Sequence, residues 1–287
     1  ARAWCLRAPA ALAARMSNQP LKGVTDDNLE IIDVWADNLE SEMARIRDAI
    51  ESHPYVAMDT EFPGVVARPV GDFKTSGDYH YQTLRCNCDM LNLIQLGFCL
   101  ADGEGRLPCV NGKYLVWQFN FREFSLEDDM YAQDSIELLK ESGIDFAEYQ
   151  ERGMDVRRFA ELLITSGVVL NDDVKWVTFH AGYDFGYLLK LLTASALPEV
   201  ESDFFEKMAA WFPVIYDVKY LMKFTPDLYG GLNRLAETLD VDRIGPKHQA
   251  GSDSLVTLAV FLKLRVTHFK DEAEASFVKR FKGVLYG

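Results

Sequence analysis

An apolar segment that carries two acids, 55–62 (YVAMDTEF), is the strongest constraint on how this chain can fold. Its apolar residues predict a strand, in which the side chains of residues i and i+2 lie on one face. Asp59 and Glu61 are therefore expected to point into the same space. Such a pair can also belong to a solvated sheet edge, but the apolar neighbours and the Pro63-Gly64 turn favour a functional site.

Two further acids and a histidine follow segments of similar character. Asp184 comes after a predicted strand at 175–179, through the turn HAGY, and Asp253 lies at the start of a predicted helix in GSDSLVTL. Either acid alone can be explained by the favourable field at a helix start. His248 lies five residues before Asp253, in a loop where a lone histidine is usually a surface residue. Taken together, the pattern predicts carboxylates gathered by a pair of divalent metal ions, with phosphodiester cleavage as the chemistry.

The hydrophobic pattern of the whole chain predicts an α/β fold with a mixed central sheet. The predicted strands are 30–35, 55–62, 91–99, 114–121, 175–179 and 214–216, and the predicted helices are 38–50, two or more within 126–166, 183–192, 203–211, 231–239 and 252–264 onward. The strands 55–62, 91–99 and 114–121 are expected to form an antiparallel set. Residues 63–83 read as a long loop, and Cys86 and Cys88 as strand residues on one face. Spacing alone does not give the strand order.

The charge of the chain narrows its class of partners. Its formal net charge is −14, from 30 Lys and Arg against 44 Asp and Glu. This balance argues against a general nucleic-acid binder, although bound metal ions would reverse the field at an acidic cleft. Tight substrate capture is then expected to need a partner protein. No apolar run is long enough to cross a bilayer, because Lys263 interrupts the longest one. The five cysteines are an odd number and give no even disulfide framework. Free thiols fit a reducing compartment.

The first residues differ in composition from the rest. Residues 1–15 carry three arginines and no acid, and Met16 looks like a natural start. We interpret 1–15 as a leader or cloning-derived segment that is disordered, and 16–287 as a single domain. A mitochondrial presequence is the alternative interpretation of 1–15.

The full set of motifs resembles the DEDD exonuclease superfamily, which has a ribonuclease H-like fold. The spacing H-x4-D matches its histidine subclass, since the tyrosine subclass would have Tyr at position 249, where this chain has Gln249. From about Leu21 to Leu264 the chain resembles the Caf/Pop poly(A) deadenylases. The matching stretches are MDTEFPGVVARPVG, YQTLRCN, WQFNF, EDDMYAQDSIELL, FHAGYDFGYLL, WFPVIYDVKYLMK, GGLNRLAETL and RIGPKHQAGSDSLVT.

The resemblance implies a 3′-to-5′ exoribonuclease that shortens mRNA poly(A) tails and releases 5′-AMP. It implies two divalent ions, Mg²⁺ or Mn²⁺, with other divalent ions also fitting. Asp59 would bridge both ions, Glu61 and Asp253 would complete the site of the attacking water, and Asp184 would hold the second ion. His248 would take the proton from that water. A scaffold subunit and a second nuclease of the Ccr–Not complex are the implied partners of a monomeric chain, in the cytoplasm and also the nucleus.

Substrate contacts are the least constrained part of the sequence. Phe62 and Tyr183 could stack on bases, but aromatic residues in such segments are more often core. Lys247 and Arg243 could contact phosphate, and a solvated loop is the equal alternative. Two other functions stay open: an exonuclease that trims DNA or structured RNA, and a subunit whose fold is kept only for docking.

Overall fold

The computed structural model describes residues 21–286. The predicted leader, residues 1–15, lies outside this range, so its interpretation stays a prediction, as does the assignment of 16–287 to a single domain. Within the described range, no helix combines the length and the apolar character that a bilayer span requires.

Seven strands in the described part of the chain form one mixed sheet. They are β1 (Leu29–Val34), β2 (Tyr55–Glu61), β3 (Gln95–Ala101), β4 (Cys109–Val110), β5 (Lys113–Asn120), β6 (Lys175–Thr178) and β7 (Ile215–Asp217). The sheet order is β1-β5-β3-β2-β6-β7, and β4 pairs with β5. This order was not derivable from the sequence, because it depends on which strands cross over.

The pairing of the strands confirms the predicted antiparallel set. β2 pairs antiparallel with β3, and β3 pairs antiparallel with β5. On the other side of β2 the sheet becomes parallel, through β6 to β7. Because parallel strands end at the same edge, Glu61, Thr178 and Asp217 mark one rim of the sheet, where ligand sites of α/β folds usually form.

The helices pack on both faces of this sheet. They are α1 (Leu39–Ile50), α2 (Ser76–Met90), α3 (Gln133–Glu141), α4 (Phe146–Arg152), α5 (Val156–Ile164), α6 (Gly182–Thr193), α7 (Glu201–Trp211), α8 (Val218–Met222), α9 (Leu232–Thr238), α10 (Ala250–Thr267) and α11 (Glu274–Phe281). α10 is buried along most of its length, as expected for a helix that is apolar on all sides.

The side chains of β2 alternate between two cores. Val56 packs in the core that contains Leu188 of α6, which we call the α6 face. Ala57 packs in the core that contains Leu258 of α10, which we call the α10 face. The period of two along the strand therefore decides which residues of β2 meet which helix.

The segment after β2 corrects two sequence predictions. The predicted loop 63–83 ends at Thr75, whose side chain accepts the Asp78 N–H and caps α2. Cys86 and Cys88 lie on α2, so their prediction as strand residues on one face was wrong. This helix contains many polar residues and shows little apolar periodicity, and a segment without that periodicity is predicted to be a loop.

α2 also fixes the loop that precedes it. Asn87 is fully buried and accepts the N–H groups of Val66 and Ala67, while its amide donates to the carbonyl oxygen of Ala67. The loop that follows the acids of β2 is thus held by backbone hydrogen bonds to one side chain.

Candidate metal centre

Asp59 and Glu61 lie at the carboxyl end of β2, on the α10 face. They share this side of the pleat with Tyr55 and Ala57, which pack in the α10 core. Both carboxylates are partly buried and lie close enough for each acid to feel the charge of neighbouring acids. The structure thus places the pair in one space, as the strand spacing predicts.

The start of α10 brings Asp253 to this pair. Gly97 of β3 lies directly opposite Asp59 in the antiparallel register. A Cβ atom on Gly97 would lie 1.9 Å from the carbonyl oxygen of Ala250, the first residue of α10. Glycine is therefore required for the helix to lie this close to the sheet. The close approach sets the height of Asp253 above β2.

Two buried glutamines hold the first turn of α10. The Gln95 side-chain oxygen accepts the Ala250 N–H over 2.8 Å, and the Gln118 side-chain oxygen accepts the Gly251 N–H over 3.0 Å. They satisfy two of the N–H groups that a helix start leaves unpaired. Neither glutamine was predicted from the sequence to have a role in the site. The available signal was a glutamine inside an apolar strand, which is costly unless it is hydrogen-bonded.

The loop before α10 places His248 beside Asp253. The backbone of His248 is left-handed, with φ of 59°, and its N–H donates to Asp253 Oδ2 over 3.2 Å. One potential ligand atom from each of Glu61, His248 and Asp253 lies within 4.8 Å of the others. Residues that are far apart in the sequence therefore form one compact donor group.

Asp184 reaches the same rim from the opposite layer. It lies in the first turn of α6, which packs on the α6 face of the sheet. Thr60 points toward that face, between the two acids of β2, and donates its hydroxyl to Asp184 Oδ1 over 2.7 Å. The four predicted acids thus converge from both faces at the end of β2.

Burial and mutual repulsion disfavour the charged forms of these acids. Burial raises the pKa of Asp59 well above its usual range, and the neighbouring acids raise it further, Asp184 most. Burial also raises the pKa of Glu61 to about 8, and Asp253 adds to this effect. Burial raises the pKa of Asp184 to about 6, although the hydrogen bond from Thr60 lowers it. A bound cation would reverse these shifts.

The donor set fits divalent metal ions. Arg243 lowers the pKa of Asp59, and its Nη1 lies 2.5 Å from Asp253 Oδ1. That contact is an ion pair without hydrogen-bond geometry, and none of the described residues donates a hydrogen bond to this buried oxygen. Carboxylate oxygens with one imidazole suit Mg²⁺ or Mn²⁺ rather than metals that prefer sulfur.

The residues considered for substrate contact lie around this centre. The rings of Phe62 and Tyr183 stack on each other, with centroids 5.3 Å apart and planes 17° apart. Both pack against the α6 core while staying partly exposed. Lys247 is exposed and lines a cavity of about 270 Å³ together with Arg243 and Asn233. Phe62 and Tyr183 thus have a packing role, and their surfaces remain partly open.

The sequence matches a known family over most of its length. The family model described as CAF1 family ribonuclease matches residues 34–161 and 154–261. A probable CCR4-associated factor 1 homolog from Arabidopsis thaliana is 58% identical over 264 residues, which is 91% of this chain and 94% of that protein. The poly(A) ribonuclease pop2 of Schizosaccharomyces pombe is 50% identical over 265 residues, which is 92% of this chain and 77% of that protein.

Solved structures match the fold in the same way. S. pombe Pop2p in a Mg²⁺- and Mn²⁺-bound form is 49% identical with a TM-score of 0.83, over 90% of this chain and 99% of that one. A chain from the structure of the yeast NOT1 MIF4G domain co-crystallized with CAF1 is 34% identical with a TM-score of 0.75, over 92% of this chain and 99% of that one. The predicted ribonuclease H-like exonuclease fold is confirmed. The chain belongs to the CAF1 ribonuclease family.

Proposed function

We propose that this protein is a 3′-to-5′ exoribonuclease that shortens mRNA poly(A) tails by metal-dependent hydrolysis and releases 5′-AMP. The observation that carries the proposal is the convergence of four acids and His248 at one rim of the sheet. Two further findings support the proposal: the chain belongs to a ribonuclease family, and its sequence is 50% identical to that of a poly(A) ribonuclease over 265 residues.

The proposed metal ligands are Asp59, Glu61, Asp184 and Asp253. When bound, two divalent ions would neutralise charge on the phosphodiester and lower the pKa of the attacking water. Asp59 feels the charges of the other three acids and would serve both ions, Glu61 and Asp253 would help to hold one of them, and Asp184 would help to hold the other. The Mg²⁺ and Mn²⁺ bound by the homologous Pop2p support these two ions as the cofactors.

His248 is the proposed general base. Its ring lies beside Glu61 and Asp253, on a loop that is held by the hydrogen bond from its own N–H to Asp253. An unprotonated ring nitrogen there would accept the proton of the attacking water. The backbone of His248 is left-handed, and the hydrogen bond to Asp253 holds it in that conformation.

Substrate contacts complete the proposal. Phe62 and Tyr183 are adjacent in sequence to metal ligands and expose part of their stacked rings, so a base of the terminal nucleotides could stack there. Lys247 is exposed on the loop that carries His248 and is assigned to backbone phosphate. Adenine preference is supported by the pop2 relative rather than by any contact described above.

Partners are proposed on separate grounds. A CAF1 that was crystallised with the NOT1 MIF4G domain supports a scaffold subunit, and a second nuclease of the Ccr–Not complex is proposed with it. The net charge of −14 supports dependence on partners for RNA capture.

Free thiols at Cys86, Cys88, Cys99 and Cys109 support a reducing compartment, so we assign the protein to the cytoplasm and also the nucleus. Imaging a tagged chain with and without residues 1–15 tests the location.

One digest tests the reaction, its polarity and its base preference. Oligo(A) labelled at either the 3′ or the 5′ end is incubated with the protein in Mg²⁺ or EDTA, beside oligo(U) and oligo(C) of equal length. The proposal predicts immediate release of 3′-labelled AMP, a one-nucleotide ladder from the 5′ label, slower decay of the other oligomers and no decay in EDTA. Internal cuts, or equal decay of a DNA oligomer, would overturn it.

A further inference from the structure

A buried acid outside the proposed metal ligands lies at the same rim of the sheet. Asp217, the last residue of β7, is 1% exposed. We propose that Asp217 is a positioning residue for the metal centre, which holds the turn before α6 and so fixes Asp184. This inference rests on the proposed function, since it concerns how one of the proposed ligands is placed.

The Asp217 carboxylate caps its own helix, α8, and joins it to two other segments through their backbone N–H groups. Its Oδ1 accepts the N–H of His180 over 2.9 Å and that of Lys219 over 2.8 Å. Its Oδ2 accepts the N–H of Tyr286 over 3.0 Å. Burying a carboxylate is costly, and three N–H donors offset that cost. We call this arrangement the Asp217 clamp.

The clamp holds a residue in an unfavourable conformation. His180 has φ of 59°, in the left-handed region that residues other than glycine rarely adopt. Such a conformation persists only where surrounding contacts enforce it. The hydrogen bond to Asp217 restrains the backbone of His180.

The turn at His180 determines where α6 begins. Helix α6 starts two residues later, at Gly182, and carries Asp184 in its first turn. Within the described structure, no side chain caps this helix at Ala181. The turn therefore lacks the usual restraint at a helix start, and Asp217 supplies one through His180. A shift of this turn would move Asp184 relative to Asp59.

The segment 283–286 is the third arm of the clamp. Gly283 donates its N–H to the carbonyl oxygen of Ile215, and Val284 forms a parallel bridge with Tyr216 on β7. The Tyr286 ring meets the His180 ring edge-on, with centroids 5.1 Å apart. This segment thus binds both the carboxylate of Asp217 and the turn that it holds.

The test measures Mn²⁺ binding, by calorimetry and by electron paramagnetic resonance, on the full chain and on folded variants. Asp217→Asn keeps the size of the side chain but replaces one acceptor oxygen by an amide group. We expect Mn²⁺ binding to weaken about tenfold, as is typical when a group that orients a ligand is lost. Tyr286→Pro removes the third N–H donor together with the ring and should weaken binding more than Tyr286→Ala, which also lacks the ring but keeps that N–H.

A rescue variant separates positioning from loss of charge. In Asp217→Asn with His180→Gly, glycine adopts the left-handed conformation without strain, so Mn²⁺ affinity should recover in part. If affinity does not recover, or if Asp217→Asn binds Mn²⁺ like the unmodified protein, the positioning role is wrong. If Asp217→Asn does not fold, Tyr286→Pro against Tyr286→Ala decides, and equal affinities would overturn the clamp.

Asp59→Ala keeps this test separate from the proposed function. If the unmodified protein binds Mn²⁺ and Asp59→Ala does not, the metal centre stands whatever Asp217→Asn shows. If the unmodified protein binds no Mn²⁺, it is the proposed function that fails.

Discussion

The hydroxyl of Thr60 donates a hydrogen bond to Asp184 Oδ1 over 2.7 Å, across a sequence separation of 124 residues. The bond runs from the middle of the acidic strand β2 to the start of a helix in the opposite layer. It links the two halves of the metal centre, because Thr60 is flanked by Asp59 and Glu61.

Thr60→Val tests this link. Valine keeps the shape of threonine but removes the hydroxyl, so Asp184 loses a hydrogen bond that favours its charged form. We expect the Mg²⁺ concentration for half-maximal activity to rise about tenfold, with little change at saturating Mg²⁺. Thr60→Ser, which keeps the hydroxyl, is the matched control. Equal Mg²⁺ requirements for the valine and serine variants would contradict the assignment.

Gly97→Ala tests the close approach of α10 to the sheet. The new methyl group would lie 1.9 Å from the Ala250 carbonyl oxygen, so the helix must move and Asp253 with it. Forced expansion of a packed core costs about 1–3 kcal/mol, and we expect a lower Tm together with weaker Mn²⁺ binding. Gly77→Ala is the control, since its nearest neighbour would be 3.7 Å away. A Gly97→Ala protein with unchanged Tm would show that the helix is not seated as described.

His248→Gln separates a proton acceptor from a metal ligand. If His248 is the general base, kcat should fall about 10²–10⁴-fold, while Mn²⁺ affinity changes little. The ring is close enough to Glu61 and Asp253 to be a ligand as well. A large loss of Mn²⁺ affinity would therefore assign His248 to the metal, and an unchanged kcat would remove it from the reaction.

The raised pKa values predict how stability depends on pH. Glu61 ordinarily has a pKa of 4.5 and has about 8 in the folded protein, so between these values the folded state binds a proton that the unfolded state has lost. The pKa values of Asp59 and Asp184 are raised in the folded protein as well. The pKa values of Asp102 and Asp155 are lowered, and they change the stability of the folded protein only at more acidic pH. The metal-free protein should therefore lose stability as pH rises from about 5 to about 8.

Thermal unfolding in EDTA or Mn²⁺ checks this dependence. Metal ions bind the deprotonated carboxylates, so Mn²⁺ should raise Tm more at pH 8 than at pH 6. Glu61→Gln should flatten the slope in EDTA. A metal-free Tm that rises over this range would mean that the acids are not held as described.

The sequence predicted the acids of the site better than the scaffold that holds them. The spacing of Asp59 and Glu61 follows from strand geometry, and their placement is local. Gln95 and Gly97 were missed, since their role depends on a helix that comes about 150 residues later in the chain. Cys86 and Cys88 were wrongly predicted to lie on a strand, because a polar helix such as α2 shows little apolar periodicity. Long-range contacts of this kind depend on strand order, which the spacing of residues does not contain.

We propose that the acids of β2 hold metal ions that the hydrolysis of RNA requires. The most direct measurement is AMP release from oligo(A) in Mg²⁺ by the unmodified protein and by Asp59→Ala, with circular dichroism to show that both are folded. We predict release by the unmodified protein and a loss of at least about 100-fold in the variant, more than an orienting group alone costs. AMP release at the unmodified rate by folded Asp59→Ala would contradict the account.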